Sequence, residues 1–212
     1  MSRLGKLSAS MATTGVIMGA VAVLTAGVAS AATITYKAGN PTPLTYQCTF
    51  PAISAQPVAV NAHLDAPDTI PHGTTVTPSN VGGTATISAG VHALLTSVGY
   101  DGIRGTATVP VTASAGTLSQ PAATGLNIPQ TIYPTGGPIT VVISQVATSS
   151  VPNYTAPAAA GSATLALGGS LTANLEFHKT SNNSWTPYTM NCTLKVTNPA
   201  QNTSFSPAAI IS

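Results

Sequence analysis

The sequence predicts an all-β fold, an immunoglobulin-like β-sandwich with one short amphipathic helix, tied by one disulfide. Three observations predict it. Apolar and β-branched residues alternate with polar ones in about a dozen short segments, each bounded by Gly, Pro, Asn or Asp. Only 5% of the 212 residues are charged, against roughly 25% in an ordinary domain, and the long charged side chains that cover exposed helix faces are nearly absent. A single stretch, Ser88 to Gly99, has helical spacing.

In chain order, Arg3 and Lys6, an apolar run from about Met11 to Val28 and the small residues Ala29-Ser30-Ala31 have the three parts of a secretory signal, with cleavage expected after Ala31. The run approaches membrane-spanning length, so an uncleaved anchor is the competing reading, but Gly15, Gly19 and Gly27 dilute it. No later run is long enough to span a membrane, and no Leu-Pro-x-Thr-Gly sorting signal occurs. The expected organisation is therefore a leader over residues 1–31 and one sandwich domain over 32–212, secreted and without an integral span after cleavage.

Strands are expected near Thr33–Tyr36, Leu44–Phe50, Pro57–Leu64, Thr74–Thr77 and Ala85–Ser88. The helix follows, with Val91, Leu94, Leu95 and Val98 as its apolar face, Ser88 as N-cap, Gly99 just past its end and His92 on its solvated side. Next come Ile103–Ala113, Leu126–Tyr133, Ile139–Ala147, Ser162–Leu167, Ser170–His178, Thr186–Cys192 and Thr193–Thr197. Within Ile103–Ala113 the alternation is regular, so its apolar face should pack on a second sheet. Pro110 has no N–H to donate, which makes that strand an edge or bulged there. Gly82-Gly83, Gly136-Gly137 and Gly168-Gly169 read as turns, none leading into a phosphate-cradling helix.

Cys48 and Cys192 are the only cysteines, and an even pair in an exported chain reads as a disulfide joining the first and last strands of the core. Removing Arg3 and Lys6 with the leader leaves Lys37, Arg104, Lys179 and Lys195 against Asp65, Asp68, Asp101 and Glu176, a net charge of zero. Four dispersed cations cannot neutralise the phosphates that nucleic-acid binding needs. Neutrality does little to hold copies apart, so self-association is an expected partner mode beside a cell-envelope or glycan partner.

Tyr46-Gln47-Cys48-Thr49-Phe50-Pro51 with Gln56-Pro57-Val58, then residues 98–107, then Asn191-Cys192-Thr193-Leu194, resembles an uncharacterised domain family of secreted actinobacterial proteins. The resemblance spans nearly the whole chain after the leader and implies a disulfide-tied sandwich with no established chemistry to transfer. The general layout is also similar to small streptomycete secreted proteins labelled cholesterol esterases, from which no triad residue carries over.

Chemistry-bearing residues are few. His63, Asp65, Asp68 and His72 form the densest ionisable cluster; two imidazoles and two carboxylates could hold a divalent metal or act as base and orienting acid. The plainer reading of Ala-Pro-Asp-Thr-Ile-Pro-His-Gly is a two-proline turn, and no cofactor or metal is expected. No Gly-x-Ser-x-Gly elbow occurs, so a serine hydrolase would need a triad assembled only by the fold. Trp185 and Tyr188 could stack on a sugar or pin a loop to the core. The expected function is a secreted, non-enzymatic module of the cell surface or extracellular matrix that acts by binding or structural association. Its alternatives are a small esterase acting on apolar lipid or sterol esters, and a carbohydrate-binding module.

Overall fold

Alternation does produce strands, yet they curl into a ring. The computed structural model describes residues 31–212; the leader reading of residues 1–31 falls, Ala31 apart, outside them. The described strands are β1 (Thr33–Ala38), β2 (Leu44–Phe50), β3 (Ile53–Pro67), β4 (Thr69–Ile70), β5 (Thr75–Val76), β6 (Ser79–Ile87), β7 (Tyr100–Ala113), β8 (Thr117–Leu118) and β9 (Ala122–Ile132). They continue as β10 (Ile139–Ser144), β11 (Tyr154–Thr155), β12 (Gly161–Ala163), β13 (Leu165–Leu167), β14 (Ser170–Lys179), β15 (Ser184–Leu194) and β16 (Ala209–Ile211), with α1 (Ala89–Ser97) between β6 and β7.

Eight of these pair antiparallel in the order β3-β2-β15-β14-β7-β9-β10-β6, and β6 returns to pair with β3 from Val58↔Ile87 to Asp65↔Ser79. The result is a closed eight-stranded barrel, so the predicted immunoglobulin-like sandwich is wrong. Period-two patterning states that one face is buried; the far wall of the same sheet covers it as well as a second sheet would. The alternating face of β7 accordingly points into the barrel and contributes Ile103, Ala107, Val109 and Val111 to its lining.

Two glycines make the curvature. Gly83 lies inside β6 rather than in a turn, and a Cβ there would sit 2.1 Å from the Asn61 carbonyl oxygen of β3. Gly105 in β7 has φ +150°, and its Cβ would come within 2.2 Å of the Asn174 carbonyl oxygen of β14. At both places two backbones approach more closely than any side chain permits, as a barrel corner requires.

The long strands β3 and β7 each change partner part-way. β3 pairs with β2 up to Val60 and with β1 from Ala62, while β7 pairs with β14 up to Thr108 and with β13 from Val111. Pro110, which cannot donate, sits at the exchange on β7. Beyond that level the wall runs β3, β1, the segment 203–206, β13 and β7, through the bonds Lys37 N to Ser206 O, Phe205 N to Leu165 O and Leu167 N to Thr203 O. Two small sheets, β5-β11-β8 and β12-β16-β4, cover this end over a second core of Ile70, Tyr154, Ala156, Ala163 and Ile211.

The opposite end carries α1. Ser88 caps it, its Oγ accepting from Val91 N at 3.4 Å, and Gly99 follows it at φ +88°. The helix is rotated from the predicted stripe: Val91, His92 and Leu95 are buried, whereas Leu94 and Val98 are 44% and 38% exposed. His92, expected in solvent, is held inside by a 2.7 Å bond between Nδ1 and the Gly137 carbonyl. An aromatic set packs this end, with the Phe177 ring edge-on to Phe50, Tyr100 and Tyr188 at 6.5, 5.6 and 5.9 Å.

Candidate functional site

An eight-stranded barrel is just wide enough for ordinary side chains to fill it, or to hold one small ligand when they do not. Here the inward positions include Gly83, Ala85, Ala107, Ala123 and Ala173, one or more on each of four strands. Methyl groups standing where an isobutyl or phenyl could stand leave a lumen of about 110 Å³. Around it the larger groups are Phe50, Val58, Val141, Leu126, Leu175 and Met190. The lining is alkyl and aryl throughout its centre, and such a cavity is dry and open to apolar guests.

Cys48 and Cys192 form the expected disulfide in the lumen wall, with Cα atoms 4.0 Å apart. It joins the first and last barrel strands in chain order, β2 and β15, which closure of the sheet makes hydrogen-bonded neighbours with Cys48 and Cys192 directly opposed in their ladder. Two residues from Cys48, Tyr46 is fully buried, donates to the Gly168 carbonyl at 2.9 Å, and burial pushes its hydroxyl pKa up to about 12. Its one polar atom is thereby turned away from the cavity. A second void of about 30 Å³ lies under the small sheets, among Tyr36, Leu64, Ile70, Tyr154 and Phe205.

The four candidates of the ionisable cluster are separated by their bonds. Asp65 lies on the outer side of β3, where Thr35 Oγ1 donates at 2.6 Å and Asn80 Nδ2 at 3.0 Å; these donors, with His63 nearby, hold its carboxyl below the usual range. His63 shares that strand. Asp68 belongs to the backbone tie with β16, through Ile210 N to Asp68 O, and His72 Nδ1 lies 2.9 Å from the Ser212 carbonyl. Among the described residues no three His, Cys, Asp or Glu side chains converge.

Trp185 and Tyr188 are three residues apart on β15 and so occupy opposite faces. Tyr188 packs inward on Phe177, while Trp185 lies on the outer wall between the Arg104 guanidinium, 4.2 Å from its centroid, and the His178 ring at 5.0 Å. The same outer face carries two pairs far apart in sequence. Arg104 Nε donates to Glu176 Oε2 at 2.5 Å, and His178 Nδ1 meets Asp101 Oδ1 at 2.5 Å with Nε2 3.0 Å from Asn183 Oδ1. No serine hydroxyl among the described residues is hydrogen-bonded to a histidine.

Sequence reading missed the lumen. Its only trace is the set of alanines at strand positions of inward parity, which period-two analysis counts as ordinary core. It also missed the Asp101–His178 pair, 77 positions apart in sequence.

Residues 45–206 match a family of unknown function, DUF6801. The chain belongs to that family. No curated protein and no solved structure matches it. Among the described residues no helix is long and apolar enough to cross a membrane, and both cysteines are oxidised.

Proposed function

We propose that this DUF6801 protein is an extracellular, non-enzymatic module that acts by binding, and that it holds an apolar ligand in the barrel lumen. One observation carries the reading: a ring of eight strands closed on itself around about 110 Å³ whose lining is overwhelmingly alkyl and aryl. Hydrophobic transfer favours filling such a space with an apolar guest, because no water–protein hydrogen bond must be given up. The oxidised cysteine pair and the three-part leader support export. The resemblance of the Cys48 and Cys192 segments to secreted actinobacterial proteins supports the same reading, with the module working at the cell envelope or in its surrounding matrix.

The esterase alternative draws support from the Asp101–His178 pair, in which a carboxylate orients an imidazole as in a hydrolase triad. Against it, the second ring nitrogen faces Asn183 where a nucleophile would stand. The carbohydrate alternative would stack a sugar on Trp185, whose ring is already engaged by Arg104 and His178.

The deciding measurement is a titration of the protein with benzene, followed by NMR shifts of the Leu126 and Val141 methyl groups. Saturable binding is expected, abolished by Ala107→Leu, which puts an isobutyl group into the void. Hydrolysis of short-chain and sterol esters with labelling by a serine-reactive fluorophosphonate would instead favour the esterase, and binding that survives Ala107→Leu would place the ligand elsewhere.

A further inference from the structure

The seams of the barrel are unequal. Six of the eight run for six residue pairs or more, β2–β15 runs for three, and β9–β10 is a single pair, Asn127 opposite Ser144. Toward α1 from that pair, β9 follows β7 and β10 follows β6, so the two strands diverge up to the loop 133–138 that joins them. Opening this seam breaks fewer backbone hydrogen bonds than opening any other. Opening β2–β15, the next shortest, would break a covalent bond.

Exposed apolar side chains gather at the same place. Ile132 on β9 and Val142 on β10 flank the parting, Leu94 and Val98 of α1 stand at its end of the barrel, and Val146 lies just past the single pair on its other side. Among the described residues only Val196 and Ile210 are other large hydrophobics so exposed. The loop that closes the parting is held by the bond from His92 to the Gly137 carbonyl and by the Tyr133 ring, edge-on to His92 at 5.5 Å. Tyr133 is about nine-tenths buried and its hydroxyl has no partner. Around Gly136 and Gly137 there is open space within 4 Å of any added Cβ. Tyr133 N also donates to the Asp101 carbonyl at 2.8 Å, so the latch is two hydrogen bonds, one ring contact and two unhindered glycines.

We infer that the lumen loads by parting β9 from β10, and that its ligand is a small uncharged molecule without hydrogen-bonding groups, of the size of a benzene ring or a short alkyl chain. The inference rests on the binding reading above. An apolar cavity of about 150 Å³ takes up benzene, and the void here is of that order. A carboxylate or ammonium placed among these alkyl groups would lose its hydration with nothing to replace it. The apolar rim at the parting gives the ligand a surface to meet before the strands separate.

Cross-linking the single pair tests the route. Asn127 and Ser144 are directly opposed across an antiparallel pair, within reach of a disulfide. In Asn127→Cys/Ser144→Cys with the new bond formed, benzene exchange measured by NMR should slow by about tenfold or more relative to Asn127→Ser, with Kd unchanged. Equal exchange rates would overturn the route and leave lumen binding standing. For the ligand class, benzene should bind and benzoate should not; benzoate binding as tightly as benzene overturns the assignment. Absence of benzene binding to the unaltered protein, or binding that persists in both Ala107→Leu and Ala173→Val, overturns the lumen reading itself, and the second variant decides if the first does not fold.

Discussion

The β2–β15 and β9–β10 seams are both short, but the molecule treats them differently. At β2–β15 the disulfide crosses the ladder, and Gln201 reinforces its rim by accepting from Thr45 N at 2.6 Å and donating to Thr45 O at 3.0 Å. Beside β9–β10 no covalent bond crosses; the bridge between Thr124 and Ser150, the bond from Ser149 Oγ to Gly125 O at 2.8 Å and those from Ser150 Oγ to Gln120 and from Ser119 N to Asn153 O all lie on the side away from α1. Chain connectivity accounts for the contrast. Cys48 and Cys192 are 144 positions apart, so bringing their strands together costs loop-closure entropy that three ladder pairs repay poorly. β9 and β10 are consecutive, and a six-residue connection holds them close whether or not they pair. A barrel can therefore leave one local seam loose, provided its non-local seam is stapled.

That comparison breaks most readily at the staple. Cys48→Ala/Cys192→Ala frees a 144-residue loop in the unfolded chain, and the chain-entropy model puts the loss of stability at about 5 kcal/mol. Urea unfolding should show it, with hydrogen exchange rising first in β2 and β15; a loss below about 1 kcal/mol would mean that the ladder alone holds this seam.

A smaller effect is expected at the loose seam. His92→Ala removes the bond from the buried imidazole to the carbonyl of exposed Gly137, at a cost of about 1 kcal/mol. Hydrogen exchange should accelerate in residues 128–143 and stay unchanged in β2 and β15. Acceleration spread evenly over the barrel would show that the two seams open together and that neither is an independent unit.

The most gradual effect is alkaline. The folded-state pKa of Tyr46, raised to about 12 from the ordinary 10, means that its contribution is complete below pH 10 and fades as pH rises through 12. Tyr133 beside the loose seam is also shifted upward, by burial first and then by Asp101 and Tyr100. Tyrosinate absorbance should therefore include a late-ionising group. Cutting the staple loosens the wall against which Tyr46 is buried, so its titration should move from about 12 toward 10 in the cysteine-free variant. No movement would place the hydroxyl's burial outside the influence of that seam.

Much of the secondary structure was legible because its signals are local. The bounds of Leu44–Phe50 need only alternation, the start of α1 needs only Ser88, and its end needs Gly99. Other features depend on partners that no local pattern names. Gly82-Gly83 reads as a turn until β3 and β10 are found pressed against it on either side. Residues 186–197 read as two strands, because nothing in them shows that β14 pairs continuously from Ser184 to Thr193. The helix stripe was assigned by spacing, but spacing does not state which way the helix rolls, and the Gly137 carbonyl drew His92 inward in place of Leu94. Of the candidate residues, the cysteine pair was legible by count, whereas Trp185 and Tyr188 look like neighbours only until strand parity sends them to opposite faces.

By itself the sequence determined that strands would dominate, that one helix would interrupt them, and that Cys48 would bond to Cys192, because periodicity, capping and a lone pair of thiols are properties of the chain alone. Tertiary structure decided that the sheet would close on itself, which seam would be stapled and which left loose, and that a row of alanines would become an empty lumen. Closure depends on which strand meets which across more than a hundred residues, and a cavity is the volume that side chains from many strands fail to fill together; neither quantity belongs to any one segment.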